Sequence, residues 1–87
     1  MRKTAEKLVK LYGPDFEVQK VMEEMTELEQ ELWRDFNHSD GSRIHILEER
    51  IDVELMLHIL DTVYDFSDKE KVKMWEYKKE KINKKYL

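Results

Sequence analysis

The chain is expected to be all-α: a compact helical bundle of three long helices plus a short N-terminal helix, completed by homodimerisation. Three observations point there. Its 87 residues include only two glycines and one proline, so long stretches run without a helix breaker. Apolar residues recur at three- and four-residue steps instead of alternating. Neither a hairpin turn nor a Gly-rich phosphate loop is present.

Each element follows from local chemistry. The first helix covers about residues 3–11 and stops at Gly13. Pro14 suits the first turn of the next helix, and Asp15 and Glu17 suit its positive end. That helix runs to about Phe36, with Val18, Val21, Met22, Met25, Leu28, Leu32, Trp33 and Phe36 in helical register. The polar segment 37–42 ends it, and Asp40 or Ser42 is placed to cap the third helix, at about 43–66. Ser67 opens the last helix, with Glu70 three residues on as its capping-box partner. Val72, Trp75, Ile82 and Tyr86 share one face of it.

A chain of this length is one domain, residues 1–87, with a marginal core that association would support. Charged residues make up 41% and hydrophobic ones 40%, too apolar a balance for an acidic disordered tail. No apolar run approaches the ~18 residues needed to cross a bilayer, so no membrane partner is expected. Met1–Glu6 leads into no apolar signal core, which predicts a cytoplasmic protein. A net charge of −4 does not favour nonspecific nucleic-acid binding, and no nucleic-acid partner is expected. The absence of cysteine excludes disulfides, thiol nucleophiles and thiolate metal sites.

The acids carry the chemistry. On the second helix Glu24, Glu27 and Glu31 form a stripe beside the apolar face, about 40° round from Leu28 at its nearest. On the third helix Val53, Ile46, Leu57, Met56, Leu60, Val63 and Tyr64 all lie within about 80° of Glu49. Glu49 and Asp52 therefore fall inside an apolar arc, while Arg50, Glu54, His58 and Asp61 fill a narrow polar one. An acid in such a place needs a cation, a metal or a proton. The width of the arc predicts that the third helix is covered on several sides, near the centre of a homodimer.

Residues three apart on a helix are neighbours, so Glu24 with Glu27, and Glu49 with Asp52, can each grip one cation. Antiparallel packing of the two helices would bring all four carboxylates together. Hard oxygen donors without cysteine favour Mg²⁺, or Mn²⁺, and a phosphate-bearing substrate. Glu-x-x-Glu alone is common on solvated helix faces. Glu49-x-x-Asp52 inside an apolar arc is much harder to explain by solvation.

Glu23-Glu24-Met25-Thr26-Glu27, followed after 21 residues by Glu49-Arg50-Ile51-Asp52, resembles the EExxE…ExxD signature of the all-α nucleotide pyrophosphohydrolases, the MazG-like family. Lys20-Val21-Met22 before the first motif and Val53-Glu54-Leu55-Met56-Leu57 after the second fit the same pattern. Trp75-Glu76-Tyr77-Lys78-Lys79-Glu80-Lys81-Ile82 is similar to the Lys-rich last helix of small phage-type members. The resemblance implies Mg²⁺-dependent cleavage of a nucleoside triphosphate between its α and β phosphates, giving the monophosphate and pyrophosphate. It puts the metal-ligand role on Glu24, Glu27, Glu49 and Asp52, and it implies sites built in homodimers or homotetramers. Charged Arg50 and Glu54 depart from the family's usual second motif. A phosphoribosyl-ATP pyrophosphohydrolase and a non-catalytic helical module binding nucleotide or protein are the alternatives. A carboxylate-bridged di-iron protein ranks last, because neither acid pair is a Glu-x-x-His.

Other residues carry open assignments. Glu23 and Glu48, adjacent to the ligands, are the candidates for general base. Lys20, one turn from Glu24, either holds a phosphate or pairs with that acid. Lys78 and Lys81, on a helix crowded with lysines, either clamp a phosphate or belong to a solvated helix end. Trp33 and Phe36 are candidates for stacking on a base, with core packing as the competing role for Trp33 and the expected one for Trp75. His45 is expected to touch substrate or sit satisfied in the core, His58 is expected to be solvated, and His38 carries no assignment.

Overall fold

The computed structural model describes residues 1–37 and 42–87. Four α-helices follow in order: α1 Arg2–Tyr12, α2 Pro14–Phe36, α3 Arg43–Val63 and α4 Asp68–Tyr86. Among the described residues there is no strand, and no helix is long and apolar enough to cross a membrane. The positions expected for His38 and for an Asp40 cap lie outside the described residues. Ser42 occupies the N-cap position of α3 with an extended backbone but without a side-chain hydrogen bond there.

The α1–α2 junction turns on one residue. Gly13 has φ 89°, a left-handed value that suits glycine because it has no Cβ. Its N–H donates to the Val9 carbonyl at 2.8 Å, which closes α1. Pro14 then starts α2, with Asp15 and Glu17 in the first turn, where acids meet the unpaired N–H groups. Glu17 is buried.

α2 and α3 form an antiparallel hairpin. Val21 packs with Met56 and Ile59, Glu24 faces Asp52, and Glu31 lies beside Glu49. Rising numbers on one helix thus meet falling numbers on the other. α1 lies against one end of this hairpin. The fully buried apolar core is small: Ala5, Val21, Met56 and Ile59, with Leu8, Val9, Leu55, Leu60 and Val63 half-buried around it.

The third helix ends earlier than the periodicity predicts. Its carbonyls are closed by a Schellman turn, in which Phe66 N–H donates to the Asp61 carbonyl at 3.0 Å and Asp65 N–H to Thr62 at 3.4 Å. Asp65 takes the required left-handed position at φ 56°. Ser67 then caps α4, its hydroxyl accepting from the Glu70 N–H at 3.1 Å. Lys71 bridges to Asp61 at 2.7 Å, and Arg2 to Asp68 at 2.6 Å. Arg2, then Lys71, holds the Asp68 carboxyl below its usual range.

These contacts fix the direction of α4 at its base only. Beyond them α4 packs against none of the other helices, so three helices, not four, pack together within one chain. Trp75, expected in a core, is 54% exposed. Leu57, in the apolar arc of α3, is also exposed, as are Ile44 and Ile51, which extend that arc round the helix. The arc exists, but one chain covers only the part beneath α1 and α2. His58, expected in solvent, is half-buried because α1 and the α4 turn close over it beside Arg2 and Asp61.

With so small a core, one residue carries much of it. Ile59 is fully buried, and Ile59→Ala should cost about 2–5 kcal/mol. A urea melt followed by circular dichroism checks this. A loss well under 1 kcal/mol would mean that the centre of stability lies elsewhere.

Candidate metal centre

Four acids meet where α2 crosses α3 beyond the apolar core. The helical repeat puts Glu24, Glu27 and Glu31 on one side of α2, and Glu49 with Asp52 on one side of α3. Antiparallel packing brings the sets face to face. Glu24, Glu49 and Asp52 each offer a carboxylate oxygen, and these oxygens lie within 4.8 Å of one another. Glu27 is within hydrogen-bonding reach of both Glu24 and Glu49. Glu24 and Glu49 are half-buried, while Glu27 and Asp52 are exposed on the solvent side.

The electrostatics are unfavourable as they stand. Desolvation pushes the Glu24 carboxyl above its usual range, and Glu27, Asp52 and Glu49 push it the same way. Glu49 is raised by desolvation first, then by Glu27 and Asp52, with Glu31 adding to them. Oε2 of Glu24, Oε2 of Glu31 and Oε2 of Glu49 are shut off from solvent without a hydrogen-bond partner among the described residues. Buried polar atoms are nearly always satisfied, and each one that is not calls for an explanation. Three acceptor oxygens without donors, on acids that repel one another, form a place that a cation would stabilise.

Glu31 was not singled out as a ligand from sequence. It stands seven residues beyond Glu24, two turns along the same face, and that spacing was the available signal. Its side chain is only 13% exposed and pairs with Arg34.

The other assigned residues distribute around this cluster. Lys20 bonds Glu23 at 3.2 Å, so its partner is Glu23 and not Glu24. Glu23 shares a shallow groove with Glu27, and Glu48 shares one with Asp52. Each base candidate therefore sits beside one acid of the cluster. Trp33 stands nine residues from Glu24, about 180° round α2. Its groove, with Glu29, Leu32, Asp35 and Phe36, contains none of the four acids. It is 57% exposed and meets Phe36 edge-on at 5.6 Å, so it neither packs in a core of this chain nor faces the acids. Lys78 and Lys81 are exposed on a helix that packs against neither α2 nor α3, and Lys81 lies 5.2 Å from the Tyr77 ring. His45 is exposed, outside any core.

Compared with protein-family models, with curated proteins and with solved structures, the chain matches none.

The raised carboxyls give a signed pH dependence. A carboxyl raised on folding favours the fold at low pH, and that contribution is lost as pH rises through its folded value. Without divalent cations the protein should therefore lose stability from about pH 4 towards neutrality on account of Glu24 and Glu49. Glu49→Gln removes one of the repelling charges, so its melting temperature should fall less over that interval than the wild type's. Parallel melts in chelator check it. A steeper fall in the variant would refute the repulsive cluster.

Proposed function

We propose that the chain is a Mg²⁺-dependent nucleoside triphosphate pyrophosphohydrolase acting as a homodimer, with Glu24, Glu27, Glu49 and Asp52 as the metal-binding acids. One observation carries the reading: acids from two helices converge, and the buried oxygens of Glu24 and Glu49 lack a donor among the described residues. The donor set is all hard oxygen, which fits Mg²⁺, or Mn²⁺ in its place, and does not suit a softer ion. The order and spacing of the EExxE…ExxD pattern supply the substrate class.

In this scheme bound Mg²⁺ neutralises phosphate charge and lowers the pKa of water at the site. The protein's part is to hold four acids in one place and to leave Asp52 and Glu27 open on the side from which a polyphosphate enters. Hydrolysis adds water across the bond between the α and β phosphates. The attacking oxygen joins one phosphorus, its proton passes to a base, and the products are the monophosphate and pyrophosphate. Two acids beside the cluster are placed to take that proton. Glu23 is engaged by Lys20. Glu48 has no ion pair among the described residues and borders Asp52, so the base role is assigned to Glu48. Lys20 stays on Glu23 in this scheme, so no phosphate contact is assigned to it.

Purified protein with Mg²⁺ should release pyrophosphate from at least one member of a panel of ordinary and modified nucleoside triphosphates. Glu49→Gln should lower kcat/KM at least about 100-fold, because loss of even an outer partner of a metal ligand costs 10–100-fold. Glu48→Gln should lower kcat while leaving KM nearly unchanged. No pyrophosphate from any nucleotide, or undiminished turnover in Glu49→Gln, would overturn the assignment.

A further inference from the structure

α4 is a helix with a direction but no neighbour. Its base is fixed by the Schellman turn, the Ser67 cap and the pairs to Asp61 and Arg2, yet none of the other helices packs on its apolar stripe. Val72, Trp75, Ile82 and Tyr86 fall within about 80° of one another round the helix, and their exposures are 60%, 54%, 41% and 70%. Most helical stability in proteins comes from packing an apolar face. Such a helix needs a surface to lie on.

The charges say which surface. α4 carries eight lysines against four acids, whereas the remainder of the chain carries sixteen acids against eight basic residues. One chain thus holds two parts of opposite sign. At the far end of α2 is a groove of about 620 Å³, walled by Leu32, Trp33 and Phe36 and edged by Glu29 and Asp35. Its walls are as exposed as the α4 stripe, at 49%, 57% and 71%. Apolar walls with acidic edges are the complement of an apolar stripe bordered along one side by Lys78 and Lys85.

We propose that α4 of one chain seats in the Leu32–Trp33–Phe36 groove of a second copy, and that the second copy's α4 returns the contact, giving a closed two-fold dimer. Trp75 is the anchor, a large aromatic of the kind that dominates interface energies. The lysines meet Glu29 and Asp35 at the rim. A reciprocal exchange leaves neither a groove nor a helix open, which is what closes a dimer instead of growing a fibre. This assembly does not depend on the chain being a hydrolase.

Sedimentation equilibrium of the full chain should give twice the 10.7 kDa chain mass. Trp75→Ala and Phe36→Ala should each raise the dimer dissociation constant at least about tenfold. Neither side chain is part of the buried core, so helical content at high concentration should persist. Because the chain has no cysteine, Ile82→Cys chains mixed with Leu32→Cys chains report the contact directly, whether or not the alanine variants fold. Oxidation should give a linked pair in the mixture, and much less in either preparation alone. A monomer at all concentrations, a dimer indifferent to both alanine substitutions, or a mixture that does not cross-link would each overturn the proposal.

Discussion

The seam between α2 and α3 has to hold acids that repel one another in a partly dehydrated place. That constraint organises the rest of the chain. The apolar core cannot extend past it, because Glu24 and Glu49 occupy the positions where the next apolar layer would lie. The core is confined to the end of the hairpin that α1 covers, around Ala5, Val21, Met56 and Ile59. Desolvation and mutual repulsion both push Glu24 and Glu49 towards their neutral forms. A protein that keeps such a seam gives up stability there, a pattern typical of functional sites.

A small core has a second consequence. Leu32, Trp33 and Phe36 at one end, and the stripe of α4 at the other, are left in solvent by the single chain. Exposed apolar area on this scale marks an interaction surface. The segregation of lysines into α4 and acids into the remainder gives that surface a sign. Trp33 in the groove stands about 180° round α2 from Glu24, so the proposed assembly would leave the seam open to a ligand.

Much of the fold was legible because short-range rules governed it. Gly13-Pro14 and Ser67 with Glu70 marked helix boundaries through backbone chemistry that needs no tertiary partner. The acid pairs were legible for the same reason, since three-residue spacing fixes a shared face. Their meeting followed from antiparallel packing of two adjacent helices. What escaped depended on which surfaces are covered. Trp33 and Trp75 read as core residues because periodicity shows that a face is apolar, not that a neighbour exists in the same chain. The end of α3 at Val63 escaped because Asp65 supplies a left-handed turn more often made by glycine. Glu31 was harder to read because it stands two turns from Glu24 and outside either three-residue pair.

The proposed role of the seam as a divalent-cation site is read out by calorimetric titration of the purified protein with Mg²⁺ at neutral pH. Saturable heat is expected from the wild type and its loss from a Glu24→Gln, Glu49→Gln double substitution with its helical content intact. No saturable heat from the folded wild type, or equal binding by the doubly substituted chain, would contradict it.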